Sequence, residues 1–288
     1  MVASSKIWRR ARRSDGRTIF RYRSAHLGGD LEVTVVPPTS APGRLAPVLF
    51  VLDPFLTLDT VVGWSRVYSR YSNGAVPPSV VVGIGHPTDD EPRFMALRIR
   101  DLTPTPVTGR EWNPPLGAGR GPRLLAAIAN EIIPFIEENF AVTADRTIIG
   151  WSLGGLFALY ALFHEPRVFS RYLVVSPSLW WDDRLPLAWE QECASANRDL
   201  AARVFMAVGA REEAPGGGWL SEDFSDELIA WFRQVTNFRT FARRLKSRDY
   251  PSLHLNSVVF VSEYHMTVYP AAVARGLVDL FCARESVR

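Results

Sequence analysis

Short apolar runs separated by helix-length segments are the main pattern along this chain. Each run is too short for a buried helix and is bounded by Gly, Pro, Asp or Ser. The runs lie at residues 48–52, 80–84, 147–149, 172–175, 204–208 and 257–261. Strands that alternate with helices predict an α/β fold with a mostly parallel central sheet and helices on both faces.

The first part of the chain has a different pattern. Residues 17–26 and 31–37 alternate in side-chain character around a Leu-Gly-Gly-Asp turn at 27–30, which predicts an N-terminal antiparallel hairpin. Helical segments are predicted at residues 123–139, 153–163, 230–245 and 271–282, with Pro270 as an entry signal for the last. No internal repeat or long linker divides the chain, so we expect one domain at 17–288.

Composition and charge exclude several classes of protein. The chain has 288 residues, of which 47% are hydrophobic and 22% charged, as expected of an ordinary globular protein. Residues 1–30 carry eight Lys or Arg against two Asp, although the whole chain has a net charge of only +3. We therefore expect residues 1–16 to form a flexible basic arm on a slightly acidic body, with no nucleic-acid partner. No apolar run approaches the length needed to cross a bilayer, so no membrane association is expected. The absence of a signal-like apolar stretch favours a cytoplasmic location.

Residues 150–154 read Gly-Trp-Ser-Leu-Gly, a G-x-S-x-G pentapeptide. A predicted strand leads into it and a helix that is apolar nearly all round leaves it, as in a nucleophile elbow. The glycines are needed because the turn brings the backbone too close for side chains beside the serine. Ser152 is therefore the predicted nucleophile.

A serine hydroxyl needs a general base and an acid that orients the base. His265 follows the last predicted strand and comes after Ser152, which is the order of an α/β hydrolase, so we expect it to be the base. The acid should follow the preceding strand, where Glu212 is the first choice and Glu213 the second. The remaining alternatives are Glu222, Asp223 and Asp226. A buried carboxylate partner is expected to raise the pKa of His265.

An oxyanion hole requires two backbone N–H groups aimed at the developing charge. Leu153, directly after the nucleophile, is the first predicted donor. The second should follow the strand at 48–52, which ends in Asp53-Pro54-Phe55. Pro54 has no N–H, so Phe55 is the predicted donor.

Together with the residues above, Ser176-Pro177-Ser178-Leu179-Trp180-Trp181 and Arg100-Asp101-Leu102-Thr103-Pro104 resemble the esterase D-like esterase family of α/β hydrolases. That family includes trilactone esterases that act on ferric catecholate siderophores. The resemblance runs from about residue 17 to 281. It implies the α/β-hydrolase fold, ester hydrolysis without a cofactor, and a triad of Ser152, Glu212 and His265.

Several positions bear on the substrate. Trp151 stands where many members of the family have histidine, Met266 where glycine is common, and Pro54 where glycine commonly follows the aspartate. We expect Trp151, Trp180 and Trp181 to contribute to the substrate pocket, the last two by lining an aromatic acyl or alcohol site. Arg100 is a candidate for steering an anionic ester.

These observations predict a serine hydrolase that cleaves a small-molecule carboxylic ester. An acyltransferase with the same triad is the near alternative, because an acyl-serine can react with acceptors other than water. A non-catalytic binding protein of the same fold is the alternative from another class. No metal site is expected, since the histidines lack the paired spacing of a zinc site.

Overall fold

A single sheet runs through the part of the chain that the structure, a computed structural model, describes: residues 9–38, 43–106, 114–214 and 225–282. Its strands are β1 (Arg9–Arg12), β2 (Thr18–Arg23), β3 (Asp30–Val36), β4 (Ala46–Leu52), β5 (Val80–Gly85), β6 (Val142–Trp151), β7 (Arg171–Val175), β8 (Ala202–Gly209) and β9 (Leu253–Phe260). Their spatial order is β1-β2-β3-β5-β4-β6-β7-β8-β9. Strands β4 to β9 run parallel, whereas β1, β2 and β3 pair antiparallel. The predicted mostly parallel sheet and N-terminal hairpin are confirmed.

Helices cover both faces of this sheet, as predicted. They are α1 (Pro54–Tyr71), α2 (Glu91–Leu102), α3 (Gly121–Ala127), α4 (Ile133–Asn139), α5 (Leu153–His164), α6 (Trp181–Arg184), α7 (Pro186–Ala196), α8 (Asp226–Phe232), α9 (Gln234–Lys246) and α10 (Val268–Phe281). One π-helical turn joins α3 to α4. Side chains of α1 and α10 share one core cluster with the sheet, and those of α2, α3, α5, α7 and α9 share the other. Among the described residues, none of these helices is long and apolar enough to cross a membrane.

The burial of the central elements follows from their sequences. All seven residues of β4 are buried, as expected of a parallel strand packed on both faces. Helix α5 is apolar nearly all round and buries nine of its 12 residues. On the opposite face, Gly276 lets α10 approach the sheet closely, because a Cβ there would lie 2.8 Å from side-chain atoms of Leu173 and Phe205.

Several element boundaries differ from the prediction. Residues 9–12, inside the predicted flexible arm, form β1 and pair with β2. The predicted helix at 230–245 is two helices, because Arg233 has a φ of 46° that breaks the helical path. Helices α1, α2, α6 and α7 were not predicted, since their apolar positions are interrupted by polar ones and no strong helix period is visible.

Candidate active site

Ser152 lies on the sharp turn between β6 and α5, in a backbone conformation that L-residues other than glycine rarely adopt. Its φ is 58° and its ψ is −116°. Position 150 must be glycine in this turn, because a Cβ there would lie 2.0 Å from the carbonyl oxygen of Gly154. The Ser152 N–H donates to the carbonyl of Val175 at the end of β7, with an N···O distance of 2.9 Å. This arrangement has the strand, turn and helix of a nucleophile elbow.

His265 and Glu212 form a buried pair at the same edge of the sheet. Nδ1 of His265 lies 2.7 Å from Oε2 of Glu212, and both residues are almost fully inaccessible to solvent. The other carboxylate oxygen, Oε1, accepts hydrogen bonds from the Ser176 hydroxyl and the Gly209 N–H, each at 2.6 Å. The carboxylate is thereby held in one orientation, and it fixes the orientation of the imidazole.

Burial controls the protonation of His265. It lowers the pKa of the imidazole below the ordinary histidine value, although Glu212 acts in the opposite direction. The carboxylate of Glu212 raises this pKa, as expected, but the net shift is downward because the loss of solvation in the core outweighs the attraction to Glu212. Near neutral pH the imidazole is neutral and can accept a proton.

The other candidate acids have different positions. Both oxygens of Glu213 bind Thr236 in the first turn of α9, one through the backbone N–H and one through the hydroxyl, each at 2.7 Å. Asp226 lies in the first turn of α8. Glu222 and Asp223 lie outside the described residues. Of the described candidates, the structure brings Glu212 to His265.

Both candidate oxyanion donors lie in the first turns of helices. Leu153 is the first residue of α5 and Phe55 is the second residue of α1. N–H groups of a first turn have no acceptor within their own helix, and the positive end of the helix dipole lies beside them. Strands β4 and β6 are parallel neighbours, so these two helix starts emerge at the same edge of the sheet.

A buried arginine that sequence reasoning missed lies between these helix starts. Nε of Arg98 donates to Oδ2 of Asp53 at 2.8 Å, and Nη2 donates to the carbonyl of Trp151 at 3.2 Å. Arg98 belongs to α2, and that helix was not predicted. The burial of Arg98, and of Asp101 three positions later, is a property of the fold, so the sequence held no signal that singled Arg98 out.

Two predicted substrate residues have partners inside the protein. The indole of Trp151 is 7% exposed and packs against the imidazole of His265, with ring centroids 4.9 Å apart, and against Tyr269. Arg100 donates two hydrogen bonds to the carboxylate of Asp101, each at 2.7 Å, so a buried carboxylate balances its charge. The structure therefore places Trp151 behind the imidazole and Arg100 in an ion pair.

The two consecutive tryptophans have different environments. Trp181 is buried and its Nε1 donates to the hydroxyl of Thr105 at 2.9 Å. Trp180 is half-buried and stacks on Phe232 with ring centroids 4.3 Å apart. It also contacts Trp231, which is 60% exposed. Trp180, Trp231 and Phe232 form the tryptophan cluster. Its accessible aromatic surface comes from Trp231 and Trp180, since Phe232 is buried.

The tryptophan cluster is linked to the nucleophile through the loop after β7. In that loop the N–H of Ser178 donates to the carbonyl of Ser152 at 3.1 Å. Within the described ranges, no group of three or more His, Cys, Asp or Glu side chains is arranged to hold a metal ion.

Comparison with known proteins identifies a family and relatives that this chain resembles. The model of a family described as "Putative esterase" matches residues 24–240. Ferri-bacillibactin esterase BesA of Bacillus subtilis is 29% identical over 253 residues, which are 84% of this chain and 81% of that protein. Siderophore triacetylfusarinine C esterase of Aspergillus fumigatus is 27% identical over 248 residues, 82% of this chain and 81% of that protein.

A solved structure gives the same result. Siderophore hydrolase EstA from Aspergillus nidulans superposes with a TM-score of 0.77 at 25% identity, over 91% of this chain and 92% of that one. The family match covers well over half of the sequence. The chain therefore belongs to this esterase family, a group of carboxylic-ester hydrolases with the α/β-hydrolase fold.

Proposed function

We propose that the protein is a serine esterase that hydrolyses a carboxylic ester through an acyl-serine intermediate. The observation that carries the proposal is the His265–Glu212 pair, which lies at the same edge of the sheet as the strained turn of Ser152. A neutral, oriented imidazole can act as general base toward a serine hydroxyl.

In the first half-reaction, Oγ of Ser152 attacks the carbonyl carbon of the ester. The hydroxyl proton passes to Nε2 of His265, because Nδ1 faces Glu212. The N–H groups of Leu153 and Phe55 donate to the oxyanion of the tetrahedral intermediate. The C–O bond to the alcohol then breaks, and the alcohol leaves with the proton from His265.

In the second half-reaction, water takes the place of the alcohol. His265 removes a proton from the water as it attacks the acyl carbon. The ester bond to Ser152 breaks, Oγ recovers a proton from His265, and the carboxylic acid leaves. The balance of atoms requires no cofactor.

The tryptophan cluster and the relatives support an aryl ester or a siderophore-type lactone as substrate. Two relatives are named as siderophore esterases or hydrolases. Trp231 and Trp180 offer exposed aromatic area beside the loop that contacts Ser152. Aromatic groups stack well on such surfaces.

Replacing the nucleophile tests the proposal. We expect Ser152→Ala to lower the hydrolysis of p-nitrophenyl butyrate by several orders of magnitude, because a methyl group cannot attack. Ser69→Ala is the matched control, since that serine is partly exposed on α1 and its hydroxyl bonds only to the carbonyl of Arg66 among the described residues. Near wild-type turnover by Ser152→Ala would contradict the serine mechanism, and circular dichroism checks that the variant is folded.

A further inference from the structure

We propose that Arg98 is a positioning residue that holds together the two backbone segments carrying the oxyanion donors. The inference rests on the proposed function, because it assumes that Leu153 and Phe55 stabilise an oxyanion. It goes beyond that function in assigning a catalytic purpose to a buried ion pair that does not include the nucleophile, base or acid.

Arg98 bonds to both segments at once. Its Nε donates to the carboxylate of Asp53, the residue directly before α1, at 2.8 Å. Its Nη2 donates to the carbonyl of Trp151, the residue directly before Ser152, at 3.2 Å. The arginine side chain is 6% exposed. A planar guanidinium can satisfy two acceptors in fixed directions, which a lysine ammonium does less well.

The backbone at both ends of this link is strained. Asp53 has a φ of 55° and Ser152 a φ of 58°. Such conformations persist only where the surrounding structure over-determines them. Asp53 is the N-cap residue of α1, yet its side chain does not cap the helix. The carboxylate bonds to Arg98 instead, so the start of α1 is fixed by α2.

The same carboxylate lies against the start of α5. A Cβ on Gly154, the second residue of α5, would be only 3.3 Å from Oδ2 of Asp53. Asp53 and Arg98 therefore fill the space between the first turns of α1 and α5. A movement of either side chain would change the separation of the Phe55 and Leu153 N–H groups.

Stability alone is a weak explanation for this pair. Buried ion pairs lose much of their Coulombic gain to desolvation, and apolar residues of similar volume often replace them without loss. Oxyanion stabilisation, in contrast, depends on donors held 2.7–3.1 Å from the developing charge. A rigid link between the two donor segments meets that requirement.

The positive charge of Arg98 also affects the pKa of His265, so the pH profile provides a second readout. Arg98 lowers the pKa of His265, in the same direction as burial, whereas Glu212 raises it. The other ionisable groups facing this region lie after β4, after β5, on α2 and on α10: Asp53, His86, Asp101 and Tyr269. Removing the guanidinium should therefore raise the pKa of His265.

The test compares Arg98→Met and Arg98→Lys with matched variants of Arg146. Arg146 also bonds one carboxylate, that of Glu137, and one backbone carbonyl, that of Val168, and it is half-buried. It lies on β6 six residues before Ser152, away from the carboxyl edge of the sheet. The assays are kcat and KM for p-nitrophenyl butyrate, the Ki of an aryl trifluoromethyl ketone, and the pH profile of kcat/KM.

We expect both Arg98 variants to lose about 10- to 100-fold in kcat, since a full oxyanion donor is worth about 10²- to 10³-fold. KM should change by less than about threefold, and Ki for the ketone, which forms a tetrahedral oxyanion, should rise in parallel with the loss of kcat/KM. Arg98→Met should also move the acidic limb of the pH profile upward, whereas Arg98→Lys, which keeps the charge, should leave it in place. The Arg146 variants should retain wild-type kcat and pH profile.

If Arg98→Met leaves Asp53 unpaired and the variant does not fold, the double variant Asp53→Asn with Arg98→Met removes both charges and serves in its place. Wild-type kcat and Ki in Arg98→Lys and in a folded charge-free variant would overturn the inference. So would equal losses in the Arg98 and Arg146 variants. Failure of the proposed function has a different signature, since wild-type protein and Ser152→Ala would then be equally inactive.

Discussion

Two neighbouring carboxylates, Glu212 and Glu213, have different roles in this fold. The loop after β8 turns Glu212 inward to His265, whereas Glu213 points to the start of α9. Adjacent side chains of an irregular loop cannot both reach the same imidazole. The sequence places both residues at the right point of the chain, but the direction of each side chain depends on Gly209, Ser176 and Thr236, which lie in separate segments.

Glutamine substitutions separate the two roles. Glu212→Gln should lower kcat by about 10³- to 10⁴-fold, because the amide can no longer hold the imidazole in the productive tautomer or stabilise imidazolium. Glu213→Gln should retain kcat but lower the free energy of unfolding by about 1 kcal/mol, since a charged cap of α9 is lost. The measurements are steady-state kinetics and urea unfolding. A larger loss of kcat in Glu213→Gln than in Glu212→Gln would assign the role of the acid to Glu213.

The buried environment of His265 predicts the pH dependence. Only the neutral imidazole can accept the proton of Ser152, so kcat/KM should rise with pH and reach a plateau. Because burial lowers the pKa of His265 from the ordinary value of 6.5, the midpoint should lie below 6.5 for wild-type protein. A pH profile with a neutral aryl ester measures it. A midpoint above 7 would mean that attraction to Glu212 outweighs burial.

At the scale of elements, the start of α1 is fixed by contacts with β5. Pro54, the first residue of α1, packs on two glycines of that strand. A Cβ on Gly85 would lie 2.8 Å from both Cγ and Cδ of Pro54, and one on Gly83 would lie 2.8 Å from Cβ of the same ring. Pro54 is thus accommodated because Gly83 and Gly85 of β5 have no side chains.

Filling that space should displace the second oxyanion donor. We expect Gly85→Ala to push Pro54 outward, move the Phe55 N–H, and lower kcat by about 10- to 100-fold. Gly63→Ala, in the exposed middle of α1 with open space around its Cβ, should instead raise the free energy of unfolding by about 0.5–1 kcal/mol at unchanged kcat. Full activity of Gly85→Ala would argue against Phe55 as a donor.

The helices show where sequence patterns are informative. Helix α5 was predicted because a continuous apolar segment follows the pentapeptide. Strand β4 was predicted from the five apolar residues at 48–52, and the observed strand begins two residues earlier, at Ala46. Helix α2 was missed, and with it Arg98, because a helix that buries Arg98 and Asp101 lacks a clean apolar stripe. The break at Arg233 depends on a positive φ that no residue type at this position announces.

At the scale of the whole molecule, the parallel strands bring remote segments to one edge. Ser152 follows β6, Glu212 follows β8 and His265 follows β9, so three residues far apart in sequence lie at the same edge of the sheet, where these strands end. This convergence could be predicted from strand order and chain order alone. The link through Arg98 could not, since it joins α2 to two other segments by side-chain geometry.

Two arginines near the site are placed differently from the sequence-based expectation for charge steering. Arg100 was predicted to steer an anionic ester, but its guanidinium is paired with Asp101. Arg211, beside Glu212, is exposed and contacts the ring and hydroxyl of Tyr264. The sequence shows that Arg211 is adjacent to Glu212. Only the fold shows that Arg211 is exposed and that Arg100 is paired with Asp101.

Labelling with a fluorophosphonate probes the serine mechanism itself, because the reaction depends on an activated serine rather than on the choice of ester. We expect one adduct per chain by intact mass spectrometry, located on the peptide that contains Ser152. Labelling should decrease as the pH is lowered and His265 becomes protonated, and it should be absent in Ser152→Ala. An unmodified wild-type protein, or an adduct on another residue, would contradict the proposal that Ser152 is the nucleophile.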